Sequence, residues 1–162
     1  MYQYASIGRD IMIIHKYFKM FFKHELKKYQ LNTAEAMVLL ALYEQDGKTD
    51  EEILTTIHNG RVGKTQDQII GELHYDKSVM ARTMQSLENK GYILRNINPQ
   101  DNRSYVFTLT EQATSFKPKL IAILRQWNDS LLADIDDLAA LKRIMDKMAF
   151  NAHDCAAQKL LI

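Results

Sequence analysis

The sequence is poor in the residues on which several classes of protein depend. Its single cysteine, Cys155, cannot form an internal disulfide, which favours a reducing, cytoplasmic compartment. Its five histidines are scattered, with no pair at a metal-ligand spacing, so neither a metal nor another cofactor is expected. No apolar run is long and uncharged enough to span a bilayer, and no signal-peptide pattern is present. We therefore expect neither a membrane protein nor a metal-dependent or disulfide-rich one.

The sequence also offers little for catalysis. The stretch HNGRVGKT, residues 58–65, ends like a phosphate-binding loop, but His58 occupies the place of its first glycine. The segment before it is charged and predicts a helix, whereas a phosphate-binding loop follows a buried strand. No nucleophile elbow or metal-ligand cluster is present either. An enzyme is therefore not expected.

The composition is that of a folded chain with nearly balanced charge. Apolar residues make up 46% of the chain and charged residues 25%, which excludes a disordered protein. The net charge of +1 predicts no bulk attraction to nucleic acid. Any binding to nucleic acid must therefore come from a local basic surface.

A nearly uninterrupted apolar segment predicts the central helix of the core. Thr33 is expected to cap a helix over residues 34–45, AEAMVLLALYEQ, which is apolar on most sides and therefore buried on most sides. A charged helix is predicted over residues 50–58, followed by a turn at NGRVG.

The segment that follows predicts two short helices joined by a tight turn. Thr65 and Gln68 have the spacing of a capping box, which opens the first helix. Asp76 is expected to cap the second helix, residues 77–90, and Gly91 stands where a left-handed residue ends a helix. Two short helices in this arrangement are a helix-turn-helix.

The second of these helices has one apolar and one polar face. Met80, Met84 and Leu87 recur at helical spacing and predict the buried side. The opposite face is small and polar with one arginine, which suits approach to base edges and phosphates in a major groove. The residues expected on that outer face are Ser78, Val79, Arg82, Gln85, Ser86 and Asn89.

Two strands and a polar turn predict a β-hairpin after the helix-turn-helix. Residues 92–97 and 104–109 are rich in β-forming side chains, and NPQDNR lies between them. Arg103 would stand at the hairpin tip, where an arginine can enter a narrow minor groove, and the carboxylate of Asp101 is expected to orient its guanidinium. A helix-turn-helix followed by such a hairpin is a winged helix.

Both ends of the chain predict long helices with an apolar stripe that needs a partner. One covers residues 4–29. Thr110 is expected to cap another, which runs to Ala133 with a bend near Pro118, and Asp134 is expected to start the last. The stripes consist of Ile7, Ile11 and Ile14 at the first end and of Leu138, Leu141, Met145 and Met148 at the second, where Cys155 is also expected to pack.

The stretch DKSVMARTMQSLENKGYILRNINPQDNRSYVFTLT, residues 76–110, resembles the MarR family of winged-helix regulators. The resemblance implies a homodimer of triangular outline, with interlocked terminal helices and two winged helices placed for successive major grooves. The chain departs from the family pattern in its longer connection over residues 46–64 and in His74, which replaces a frequent glycine. The matching elements are Arg82, the run Leu87 to Gly91, Arg95, the pair Asp101 and Arg103, and the pair Leu109 and Thr110.

The predicted fold class is mainly α with a small β-hairpin wing. It combines a winged helix-turn-helix DNA-binding domain over residues 31–110 with a helical dimerisation region over residues 1–30 and 111–162. A ligand pocket is expected between the two regions, lined by Tyr17, Phe18, Phe21, Met37, Leu40 and Trp127. The residues expected to contact DNA are Thr65, Lys77, Ser78, Val79, Arg82, Gln85, Ser86, Arg95, Asn102 and Arg103.

The function expected from these features is sequence-specific regulation of transcription. A homodimer would bind double-stranded DNA at a pseudo-palindromic operator and act as a repressor modulated by a small aromatic or amphipathic effector. No membrane partner is expected. The alternative is a winged-helix adaptor that binds a protein instead of DNA, although the polar outer face of the second helix argues against it because an adaptor needs an apolar anchor there.

Overall fold

The computed structural model describes residues 2–44, 63–98 and 100–160. It is mostly helical with one antiparallel sheet of strand order β1-β3-β2, so the predicted fold class is confirmed. The predicted charged helix over residues 50–58 and most of the connection over 46–64 lie outside the described residues. In chain order, the elements are α1 (Tyr2–Lys27), α2 (Thr33–Tyr43), β1 (Lys64–Thr65), α3 (Gln66–Leu73), α4 (Lys77–Asn89), β2 (Ile93–Asn98), β3 (Asp101–Leu109), α5 (Glu111–Leu131) and α6 (Leu138–Leu160).

The chain divides into two compact units, Met1–Leu124 and Arg125–Ile162. The larger unit contains the winged helix and also α1, which packs on α2. The smaller unit contains α6. The predicted division into a DNA-binding domain and a dimerisation region is a functional one, and it stays a prediction.

Helix α2 is the centre of the larger unit. It contacts α1, α3, α4 and β3, and Val38 and Leu39 are fully buried, so the predicted burial on most sides is confirmed. The predicted cap at Thr33 is wrong by one residue. Asn32 caps the helix, because its side-chain oxygen accepts a hydrogen bond from the backbone N–H of Glu35 at 2.9 Å. Both residues can cap a helix, and only the backbone conformation decides between neighbours.

A buried ion pair joins the start of α2 to the end of α4. The carboxylate of Glu35 is fully buried, and the ammonium of Lys90 donates to its two oxygens at 2.7 and 2.9 Å. The same ammonium donates to the carbonyl of Gln30 at 2.7 Å, so all three of its N–H donors are used. Glu35 also accepts from the backbone N–H of Asn32 at 2.8 Å and thereby completes the helix cap. The orientation of α4 relative to α2 therefore depends on this pair.

The helix-turn-helix forms largely as its sequence predicts. Thr65 and Gln68 make the expected capping box, and His74 adopts the left-handed conformation that its place in the turn requires, with φ 53°. Asp76 stands at the start of α4, but its side chain makes no cap hydrogen bond, so that part of the prediction is wrong. Gly91 ends the helix with φ +75°, a conformation that disfavours any side chain.

The wing is a hairpin of β2 and β3 with a third, very short strand on its edge. The strands begin and end within three residues of the predicted positions. Strand β1, which pairs Lys64 with Phe107, was not predicted because two residues are too few to show a period. The chain passes so close to β3 at Gly63 that a Cβ there would lie 2.6 Å from the carbonyl oxygen of Phe107.

The last two helices confirm one predicted cap and correct another. The hydroxyl of Thr110 accepts from the backbone N–H of Ala113 at 3.2 Å, as expected, and α5 continues through Pro118. Asp134 does not start the final helix, because it lies in a turn with φ 63°. Helix α6 begins after Asp137, whose carboxylate accepts from the N–H of Ala140 at 2.8 Å. Several aspartates in the stretch ADIDDLAA can cap a helix, so the sequence alone did not distinguish them.

Replacing Lys90 by methionine is expected to lower the free energy of unfolding by about 3 kcal/mol, because it leaves a buried carboxylate without its cation. Chemical denaturation followed by circular dichroism measures this. Lys142→Met is the matched control, since Lys142 pairs with Asp146 on an exposed face of α6, and it is expected to change stability by less than about 0.5 kcal/mol. Equal effects of the two substitutions would contradict a special role for Glu35 and Lys90.

Candidate nucleic-acid interface

Helix α4 presents the polar face that its sequence predicts. Met80, Met84 and Leu87 are buried, as expected. Thr83, which sequence reasoning did not single out, is also buried. Its hydroxyl donates a hydrogen bond to the backbone carbonyl of Val79 at 2.9 Å, so this buried polar group has its partner within the helix. The inner face of the helix is therefore packed in the apolar core, opposite its polar outer face.

The outer face of α4 carries an exposed arginine. Arg82 is exposed and makes no ion pair or hydrogen bond with any residue that the structure describes. Gln85 is exposed and donates to Asn89 at 3.1 Å, while Ser86 is half-buried. The other predicted contacts at the start of the helix, Lys77, Ser78 and Val79, are exposed, with Val79 at 40%. The hydroxyl of Thr65 serves as the cap of α3.

The tip of the wing is held by side chains that bond to its backbone. A carboxylate oxygen of Asp101 accepts from the backbone N–H of Arg103 at 3.0 Å. Ser104 donates to the carbonyl of Asp101 at 3.1 Å and accepts from Asn98 at 2.9 Å. Asp101 therefore fixes the backbone under the arginine, a different role from the expected contact with its guanidinium. The side chains of Arg103 and its neighbour Asn102 are exposed.

The third arginine of the interface lies against an aromatic ring. Arg95 is exposed on β2, and its guanidinium carbon is 3.8 Å from the centre of the Tyr105 ring on β3. Sequence reasoning missed Tyr105, because its nearness to Arg95 depends on the register of the hairpin, and the predicted strand bounds do not give that register. The strand register makes them diagonal neighbours, because Arg95 pairs with Phe107 and Ile97 with Tyr105.

Helix α1 in the larger unit and helix α6 in the smaller unit each leave an apolar face exposed. Ile7, Ile11 and Ile14 are between 44% and 46% exposed. On α6, Leu138 and Met145 are each 50% exposed, whereas Leu141 and Met148 are half-buried. Cys155, expected to pack in the second stripe, is exposed in the single chain. Large exposed apolar residues that sequence reasoning did not name are Met12, Ile13 and Met20 on α1 and Ile144 and Phe150 on α6.

A cavity of about 690 Å³ lies within the larger unit. Two of the six predicted pocket residues, Met37 and Leu40, line it. Phe18 and Phe21 instead contact the ring of Phe22, while Tyr17 is exposed on α1 and Trp127 belongs to the smaller unit. The lining residues are Met37, Leu40, Ala41, Glu44, Lys64, Glu72, Leu73, Ile121 and Leu124.

The wall of the cavity contains a nearly buried lysine that sequence reasoning assigned no role. The ammonium of Lys64 donates to both carboxylate oxygens of Glu72, at 2.8 and 2.9 Å, and to the carbonyl of Glu44 at 2.8 Å. It therefore joins β1 to α3 and to the end of α2. Its place in the GKT run attracted attention only as part of a phosphate-binding loop, and no local pattern reveals its partners.

Metal-binding clusters and membrane-spanning helices are both absent from the part of the chain that the structure describes. Over residues 2–44, 63–98 and 100–160, no group of histidine, cysteine and acidic side chains is arranged to hold a metal ion. In the same ranges no helix combines the length and the apolar character needed to cross a membrane.

A helix-turn-helix followed by a hairpin wing defines the winged helix-turn-helix class of proteins. A family model described as "Transcriptional regulator SarA/Rot" matches residues 20–120. The chain belongs to this family of transcriptional regulators and has the fold of the MarR regulators, as the sequence resemblance predicted. Its family and its relatives are regulators of transcription, not enzymes.

The relatives of the chain cover most of its length at low identity. The transcriptional regulator BilQ of Clostridioides difficile is 23% identical over 135 residues, which are 83% of this chain and 80% of BilQ. A MarR regulator of Methanosarcina mazei superposes with a TM-score of 0.76 at 24% identity, over 93% of this chain and 99% of that one. A MarR-family regulator from Listeria monocytogenes, solved in complex with a 26mer DNA, gives a TM-score of 0.70 at 19% identity, over 93% and 89% of the two chains.

Proposed function

We propose that this protein is a sequence-specific DNA-binding regulator that acts as a homodimer on a pseudo-palindromic operator. The observation that carries the proposal is the pair of exposed arginines, Arg82 on the recognition helix and Arg103 at the wing tip. Buried side chains anchor the helix, and Asp101 holds the backbone of the wing tip. The Listeria relative bound to a 26mer DNA supports it by analogy of fold. We place the activity in the cytoplasm, as the single cysteine favours.

The two arginines reach different parts of a duplex. An arginine on a recognition helix can bond guanine edges or phosphates in the major groove. One at a wing tip can enter the minor groove, where a narrow, A·T-rich stretch has an enhanced negative potential. The chain carries a net charge of only +1, so these local cations, together with Arg95 and Lys77, must supply most of the attraction to DNA.

The exposed apolar faces of α1 and α6 favour a homodimer. Contiguous apolar surface of this kind is rarely left in contact with water on a soluble monomer. The same two faces on a second copy offer matching apolar surface, and two-fold symmetry is the commonest way in which identical chains cover such faces. Two winged helices related by that symmetry would read half-sites about 10 base pairs apart, which makes the operator a pseudo-palindrome.

The cavity beside α2 offers a site for a small amphipathic effector. Its wall is mostly apolar, and Lys64 and Glu72 supply a charged pair at one side. Since Lys64 also bonds to the end of α2 and lies on the strand next to the wing, a ligand that alters its contacts can change the placement of the DNA-contacting elements. An effector that releases DNA would make the protein a ligand-controlled repressor.

The variants Arg82→Ala and Arg103→Ala are expected to weaken operator binding in different ways. If each contact contributes about 1–3 kcal/mol, either substitution removes roughly 2–6 kcal/mol per dimer. Arg82→Ala should relax the preference for bases within each half-site, and Arg103→Ala should weaken binding most at sites with A·T-rich flanks. Titration on an operator selected from random duplexes, at two salt concentrations, measures both effects. If the folded, dimeric variants bind within twofold of wild type, the adaptor function replaces DNA binding.

The variant Met145→Asp is expected to be monomeric at micromolar concentration, because a dimer would have to bury an unpaired carboxylate. Met145 is half-exposed in the single chain, so the fold of the chain should survive the substitution. Sedimentation velocity measures the mass. Asn151→Asp adds the same charge at an exposed polar position of α6 and should leave the dimer intact. A wild-type protein that sediments as a folded monomer would contradict the dimer outright.

An aromatic carboxylate or phenol that occupies the cavity is expected to weaken operator binding tenfold, which requires a preference of about 1.4 kcal/mol for the non-binding state. A panel of benzoic acids and phenols, screened by fluorescence anisotropy with labelled operator, tests this. Met37→Trp should narrow the cavity and weaken the response while leaving DNA affinity unchanged. A response that persists undiminished in Met37→Trp would show that the effector acts elsewhere.

A further inference from the structure

The contact between Arg95 and Tyr105 is close for two side chains that stand in solvent. Arg95 is exposed and the ring of Tyr105 is 45% exposed, yet the guanidinium lies 3.8 Å from the centre of that ring. The guanidinium thus lies over the face of the ring, and arginine stacks readily on aromatic faces. An exposed contact of this type adds little to folding stability, so stability alone does not account for it.

The hairpin register places this pair where the wing leaves the core. On the face that carries Arg95 and Tyr105, the flanking residues Ile93 and Phe107 are buried at the core end. Towards the tip the same face carries Ile97, which is 64% exposed. The stacked pair therefore lies between the buried base of the wing and its exposed tip, on two strands that pair with each other at both positions.

Stacking leaves the hydrogen-bonding edge of Arg95 free. An arginine contacts an aromatic ring through its face, whereas its five N–H donors point outward in the plane of the guanidinium. Within the described residues no carboxylate or carbonyl bonds to Arg95, so these donors have no protein acceptor there. A planar cation with a free donor edge suits a phosphate, which accepts two parallel N–H bonds.

We propose that Tyr105 is a positioning residue, whose ring holds the guanidinium of Arg95 ready to bind a phosphate of the DNA backbone beside the wing. This inference rests on the proposed DNA-binding function and extends it. The ring limits the conformations of a flexible side chain before DNA arrives, so less freedom is lost on binding. Because phosphates carry no sequence information, the pair contributes affinity on every duplex and does not contribute to operator preference.

The test compares Tyr105→Phe, which keeps the aromatic face, with Tyr105→Leu, which keeps apolar volume but removes the face. Affinities are measured by anisotropy on the selected operator and on an unrelated duplex, over a series of salt concentrations. Tyr105→Leu should weaken binding to both duplexes by roughly tenfold per dimer, and Tyr105→Phe should stay within twofold of wild type. Arg95→Gln should lower the slope of log affinity against log salt by about 2, one phosphate contact for each protomer.

The double variant Arg95→Gln/Tyr105→Leu separates positioning from a structural role. If the ring acts through the arginine, Tyr105→Leu should cost less than twofold once Arg95 is replaced. A full tenfold loss in that background, or a failure of Tyr105→Phe to restore binding, would overturn the proposal. Melting temperatures confirm that each variant is folded. Wild-type protein that binds no duplex would remove the proposed function as well, whereas a response to Arg82→Ala with none to Tyr105→Leu would remove this inference alone.

Discussion

The placement of α4, the second helix of the helix-turn-helix, depends on how the two ends of α2 are held. This helix is almost wholly apolar and buried, so its only polar requirements are at its termini. At the start, Glu35 completes the cap and accepts the ammonium of Lys90 from the end of α4. At the end, the carbonyl of Glu44 accepts from Lys64, which also bonds Glu72 on α3. Two lysines thus join the central helix to both helices of the helix-turn-helix.

This support explains why the surface proposed to contact DNA can remain polar and exposed. The outer face of α4 and the tip of the wing make few contacts with the rest of the protein, yet Met80, Met84 and Leu87 anchor the helix beneath. Asp101 and Ser104 do the same for the wing through its backbone. The side chains that we propose to contact DNA are therefore held in place by neighbours outside the proposed contact surface.

A buried tyrosine joins the end of α2 to α5. The hydroxyl of Tyr43, at the end of α2, donates to the carbonyl of Ala113 on α5 at 2.5 Å. Burial, with a smaller contribution from Tyr92, raises the pKa of Tyr43 well above its ordinary value, so the phenol remains a donor throughout the physiological range. The hydrogen bond from Tyr43 therefore joins α5 to α2 without depending on pH in that range.

The sequence by itself determined the local elements of this protein. Helical spacing, the capping box at Thr65 and the stop at Gly91 reflect interactions between residues a few positions apart, so the helix-turn-helix and the wing could be located from them. Local pattern was less certain wherever neighbouring residues could serve equally, as at Asn32 and Thr33 or along the aspartates before α6. The ordered motif over residues 76–110 then identified the family.

Only the tertiary structure decided which distant residues meet. Lys90 lies 55 residues from Glu35, and nothing near either one in the chain indicates the pair. Strand β1 forms because it pairs with β3. Lys64 lines the cavity because α2 and α3 come together there. Tyr105 lies under Arg95 because the hairpin adopts one particular register. These contacts depend on the path of the whole chain, and a linear pattern carries information only about neighbours along it.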